Sequence, residues 1–136
     1  LTKQVQAAYQ IAFDEFERLS REGGADQPSA KMLEVEEPGY LDQDMAFLRD
    51  QKATGYKVVG EPAITRSRSV PSVEKSGSDR RLTLQVCEDR RGSSAVFRDG
   101  KTERNRLWQG FVYAKAFSGR VKLVDIDTSE VERCDW

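Results

Sequence analysis

The sequence predicts an α+β domain, with helices in the N-terminal third laid over a C-terminal, mostly antiparallel sheet. Three observations predict it. Apolar residues recur at helical spacing as far as residue 53, then at alternating spacing in the strand-like runs beyond Tyr56. The turn-forming pairs Gly23-Gly24, Pro38-Gly39 and Ser118-Gly119 punctuate these runs. Helices first and strands afterwards is the order of an α+β chain, not of a parallel α/β sheet.

Residues 3–22 carry Val5, Tyr9, Phe13, Phe16 and Leu19 on one stripe, with Ala12 beside them and Asp14, Glu17, Arg18 and Arg21 opposite. That is an amphipathic helix, capped by Thr2 and stopped by Gly23-Gly24, with Ile11 alone on the polar side. A second, short helix is expected from Asp26 as cap to Glu37, ended by Pro38-Gly39, with an irregular loop as the other reading. The third helix spans 41–53: Leu41, Met45 and Leu48 form its stripe, Phe47 widens it, and Gly55 stands just past its end.

Residues 56–67 read as one strand with a bulge or an edge position at Gly60 and Pro62. The polar stretch 67–79 reads as a hairpin connection. Residues 81–88 alternate, placing Leu82, Leu84 and Val86 on one face. Residues 106–117 alternate with apolar side chains on both sides, as in a central strand covered on two faces. Ser118-Gly119 turns the chain into a strand over 120–127, and 128–136 form a last short segment holding Cys134. The layout is thus three helices packed on a curved, cone-like sheet, with residues 1–136 as a single domain.

Length and composition agree. A chain of 136 residues builds one core and is too short for two. With 38% hydrophobic and 33% charged residues it is polar but globular, and its net charge of −1 argues against a general nucleic-acid binder. No apolar run approaches the roughly 18 residues of a membrane span. The chain opens at Leu1 directly into helix-like sequence, so a trimmed or processed chain is expected, with any targeting segment upstream.

Two cysteines and no histidine are the most informative counts. Buried thiols are one reading of the pair. Their placement, one inside a strand-like run and one near the end of the sequence, favours a Cys87–Cys134 disulfide, and with it an oxidising, extracytoplasmic setting. Two isolated cysteines cannot complete a usual zinc site, so no metal is expected. The commonest general base is missing with histidine. No nucleophile elbow, dinucleotide fingerprint or phosphate loop occurs, so no catalytic residue and no cofactor is expected. Asp125 and Asp127 sit near a strand end, where a polar terminus explains them. Tyr56, Trp108 and Tyr113 are the candidate lining of a pocket, against a plainer reading as core.

Charge is uneven along the chain. Residues 51–120 hold 15 basic and 7 acidic side chains, while residues 1–50 hold 5 and 11. Arg90, Arg91, Arg98, Arg104 and Arg106 concentrate the basic excess, either as a solvated hairpin or as a patch for an acidic partner.

With this layout in place, the chain resembles the NTF2-like (cystatin-like, SnoaL-type) cone fold, and more particularly small secreted proteins and lipoproteins of actinobacteria and their phages. The resemblance rests on the N-terminal helix with Tyr9, Phe13 and Phe16, on LTLQVCEDRRGSSAVFRDGKT at 82–102, and on SGRVKLVDIDTSEVERC at 118–134. It implies the same Cys87–Cys134 bridge and, in many such proteins, an N-terminal lipid anchor, which here falls upstream of Leu1. The group's enzymes usually place a His or Asp in the cone, and His is absent here. The expected function is therefore a non-enzymatic extracytoplasmic domain, secreted or membrane-anchored, that binds a protein or envelope partner and no nucleic acid. A small-ligand or lipid carrier and a pocket isomerase or cyclase are the alternatives. Strict alternation puts Cys87 opposite Leu82, Leu84 and Val86, so the bridge lies on the other face of the sheet or a bulge redirects it.

Overall fold

The computed structural model describes residues 1–71 and 80–136. The elements run α1 (Thr2–Arg21), α2 (Ala30–Val35), α3 (Pro38–Thr54), β1 (Lys57–Gly60), β2 (Ile64–Val70), β3 (Arg80–Asp89), β4 (Ser93–Val96), β5 (Thr102–Arg104), β6 (Leu107–Phe117) and β7 (Arg120–Val131). The α+β class is borne out. The single sheet is not, because the strands form a four-stranded antiparallel sheet in the order β2-β3-β6-β7 and a three-stranded one in the order β1-β4-β5. The expected strand over 56–67 is two strands in different sheets. Gly60 has φ +103°, a conformation L side chains rarely adopt, and Pro62 has no N–H to donate to a ladder. Of the expected connection over 67–79, residues 67–70 belong to β2 and 72–79 lie outside the described residues.

The helices keep their order but shift their ends. α1 buries Val5, Ala8, Tyr9, Ala12, Phe13 and Leu19, and Ile11 faces solvent as the stripe requires. Thr2 is already helical and caps nothing; Leu1 stands at the cap position without a side-chain bond. α2 has six residues, and its cap is Ser29, whose hydroxyl accepts the Met32 N–H at 3.2 Å. Asp26 instead pairs with Lys52 of α3. Pro38 opens α3 at its first turn, where a missing N–H costs nothing. Gly55 closes the helix in the left-handed region at φ 78°. Phe47 does not widen the buried stripe; it is 63% exposed.

Even-numbered residues of β3 and β6 face the helices. Leu84, Val86, Val112 and Ala114, with Leu123 of β7, pack against the buried stripe of α1 and against Val35 and Tyr40. A second cluster of Leu19, Met32, Met45 and Leu48 holds the helices to one another. At the centre of the four-stranded sheet stands Gly110, paired with Val86 on one side and Thr128 on the other. A Cβ there would lie 2.6 Å from the Thr128 Cα and closer still to the Asp127 carbonyl oxygen. Only glycine lets β7 approach β6 this closely.

The other face of this sheet carries Arg66, Arg68, Gln85, Cys87, Phe111, Tyr113, Asp125 and Asp127, by register and alternation. β6 is central but covered on one face only: Phe111 and Tyr113 are 38% and 39% exposed. Cys87 is joined to Cys134 across this face, with a Cα–Cα distance of 6.1 Å. The bridge therefore lies on the sheet's other side, and no redirection of β3 is needed. It carries residues 134–136 over the strands, where Asp135 exchanges hydrogen bonds with the Gln109 amide and Trp136 stacks on Arg68 at 4.6 Å. A disulfide of this kind indicates an oxidising setting.

Reducing the protein should raise its mass by two daltons. Closing a loop of 47 residues is worth about 4 kcal/mol in the chain-entropy estimate, so Cys134→Ala should lower unfolding free energy by a similar amount in denaturant titration. Gly110→Ala should destabilise by about 2 kcal/mol or more, because backbone and not a movable side chain blocks the added carbon.

Candidate functional site

The alternation that buries Leu84 and Val86 continues to Glu88 and Arg90, which places two charged residues against the helical layer. Glu88 is 6% exposed. The Tyr9 hydroxyl of α1 donates to its Oε2 at 2.7 Å. Arg90 pairs with Glu17 of α1, reaches Glu88 Oε1 at 3.6 Å, and lies over the Phe13 and Phe16 rings at 4.7 and 5.7 Å. Helix α3 adds Tyr40 and, one turn later, Asp44 to the same cavity. Glu36 follows α2 and is fixed by its bridge to Leu123 and by the Glu37 N–H donating to the Leu123 carbonyl at 2.8 Å.

Burial raises the proton affinity of these acids. The Glu88 carboxyl is pushed up to about 7, chiefly by desolvation, against the lowering effect of the Tyr9 hydrogen bond. Asp44 is pushed up to about 9 by burial and then by the Glu36 carboxyl beside it. Glu36 is likewise raised by burial. Neither Glu36 oxygen meets an amide, hydroxyl or guanidinium donor among the described residues. A protonated Asp44 supplies the donor that Glu36 lacks. Arg90 is drawn down to about 10 by burial and keeps its charge at neutral pH.

Two adjoining hollows open on this cluster. The inner one, about 70 Å³, is bounded by Phe13, Phe16, Tyr40, Asp44, Glu88 and Arg90, and has room for a few water molecules. The outer one, about 210 Å³, is bounded by Phe16, Phe47, Tyr56, Glu88, Arg90 and Trp108. Tyr56 and Trp108 thus meet as the sequence suggested, while Tyr113 lies on the opposite face of the sheet. Both hollows are smaller than the roughly 300–1,000 Å³ of ordinary ligand pockets.

The five arginines do not form one patch. Arg90 is turned inward. Arg91, Arg104 and Arg106 converge on an open groove of about 600 Å³ that also includes Glu103, Glu130 and Glu132. Arg91 pairs with Asp89 at 2.8 Å and holds that carboxyl down at about 2, and Arg104 Nε donates to the Arg91 carbonyl at 2.9 Å. Arg98 lies apart, against the side-chain-free face of Gly55. Asp125 and Asp127 are exposed on the outer sheet face, away from the buried acids. Among the described residues no group of three potential ligands is arranged to hold a metal ion.

Sequence reasoning missed Glu36, Asp44 and Glu88. They come from three elements, and no spacing links them. One signal was readable: Glu88 continues the alternation of Leu82, Leu84 and Val86 and is therefore a carboxylate on an apolar face. No family model, curated protein or solved structure matches the chain.

The raised acids make stability depend on pH in a definite direction. Folded Glu88 and Asp44 hold protons that the unfolded chain releases near pH 4, so their contribution is complete below that pH and lost as pH rises through about 7 and about 9. The melting temperature should therefore fall between pH 5 and pH 9, and Glu88→Gln with Asp44→Asn should flatten that slope.

Proposed function

We propose that the chain is a non-enzymatic, extracytoplasmic binding domain of NTF2-like build, secreted or held at the cell surface by an anchor outside this sequence. It recognises a protein partner through the groove lined by Arg91, Arg104, Arg106, Glu103, Glu130 and Glu132. One contrast carries this reading. The buried acids face a hollow of about 70 Å³ filled from the side by the protein's own aromatic rings and Arg90, whereas the groove of about 600 Å³ opens outward between charged side chains. Three carboxylates and three guanidinium groups line it together, which suits a polypeptide carrying both signs of charge better than a uniformly acidic polymer. The disulfide supports the extracytoplasmic setting.

A second reading has its own support. Glu88 is poised near neutrality beside Tyr56 and Trp108 in the hollow of about 210 Å³, a setting that suits a small-ligand carrier or an acid–base pocket. The two readings separate on mutation. Retention of envelope proteins on the immobilised, oxidised chain should fall about tenfold or more for Arg104→Glu with Arg106→Glu and at raised salt, and persist for Glu88→Gln. Loss with Glu88→Gln and retention with the arginine changes would contradict the groove.

A further inference from the structure

The outer face of the four-stranded sheet is ordered by charge. The register sets Arg68 of β2, Gln85 of β3, Phe111 of β6 and Asp127 of β7 in one row across the strands. The neighbouring row is Val70, Thr83, Tyr113 and Asp125, and the row on the other side begins with Arg66 and ends with Ser129. In these rows basic groups occupy the β2 edge, exposed aromatic rings the middle, and carboxylates the β7 edge. The row beyond Tyr113 is basic, with Arg81, Lys115 and Lys122, of which Lys115 pairs with Glu37 at 2.9 Å and Lys122 donates to the Leu33 carbonyl at 2.9 Å. Among the described residues neither Arg66, Arg68 nor Asp127 has a counter-ion. Arg68 donates to the Gln85 amide oxygen at 2.9 Å and is stacked on Trp136, Arg66 donates to the Cys87 sulfur at 3.6 Å, and Asp125 accepts from Gln43. Beside Phe111 and Tyr113 lies a hollow of about 590 Å³, bounded also by Val70, Arg81, Thr83 and Asp125.

From this pattern we propose that the outer sheet face binds a second copy of this chain. The charge order selects the geometry. A two-fold axis along the strands, between β3 and β6, turns one sheet over onto the other and lays β2 of each copy against β7 of its partner. Arg68 then faces the partner's Asp127 twice over, and Phe111 and Tyr113 of each copy cover the partner's Gln85 and Thr83. Arg81 meets the partner's Lys115, whose charge is offset by its own ion pair with Glu37. A two-fold across the strands sets arginine against arginine and is disfavoured. The stack on Trp136, held in place by the Cys87–Cys134 bridge, orients the Arg68 guanidinium before association. This face is separate from the arginine–glutamate groove, so the proposal stands or falls independently of the function proposed above.

Sedimentation equilibrium on the oxidised chain tests it. The wild type should reach twice its 15.4 kDa chain mass as concentration rises. Arg68→Asp and Asp127→Arg should each weaken self-association about tenfold or more, since each places like charges together at two symmetric points. Mixing the two variants should restore a dimer, because both contacts are again complementary in the mixed pair. That recovery also shows that both variants are folded. A wild type that stays monomeric at all concentrations overturns the proposal. So does a dimer that is indifferent to both changes, or one that Arg68→Asp tightens.

Discussion

The structure turns on the hydrogen bond from the Tyr9 hydroxyl to Glu88. A β-strand sends alternate side chains to one face, so the face of β3 that buries Leu84 and Val86 must also deliver Glu88 and Arg90 to the helices. A buried carboxylate without a donor is costly, and helix α1 supplies one from the stripe that forms the core. Arg90 is then balanced by Glu17, about two turns further along the same helix. Helix α1 is thereby set against β3 by polar contacts as well as by apolar ones, and its position along the strand is specified.

Two consequences follow for the rest of the molecule. Acidic groups are gathered inside, where burial raises the proton affinity of Glu36 after α2, Asp44 of α3 and Glu88 of β3, and the interior is too full to admit more than a small guest. The opposite face of the same sheet is left for association, with the disulfide fixing residues 134–136 over it and with aromatic rings exposed on a central strand. One sheet therefore has a closed, acidic side and an open, charge-ordered side. The strand alternation assigns each residue to one or the other.

Much of this was legible in the sequence where the periodicity was long. α1 declares itself through Val5, Tyr9, Phe13 and Leu19, and β3 and β6 through strict alternation. The Cys87–Cys134 pairing was favoured by position, whereas alternation left its face open between the sheet's other side and a bulge, and the structure decides for the other side. The division of the strands into two sheets was not legible, because a positive-φ glycine followed by Pro62 is equally compatible with a bulge and with a change of sheet. Pro38 was read as a stop for α2 although it opens α3, since proline tolerates both positions. The acid cluster was hidden for a different reason: Glu36, Asp44 and Glu88 meet only once the helices are packed on the sheet, and local spacing carries no trace of it.

The central claim is that folding closes the helical layer over carboxyl groups that keep their protons. Carbon-13 NMR titration of the Glu88 and Asp44 side-chain carboxyls in the folded protein tests it directly. Midpoints near 7 for Glu88 and near 9 for Asp44 are predicted. Midpoints for both near 4, as for carboxyls in water, would contradict the closed acidic interior.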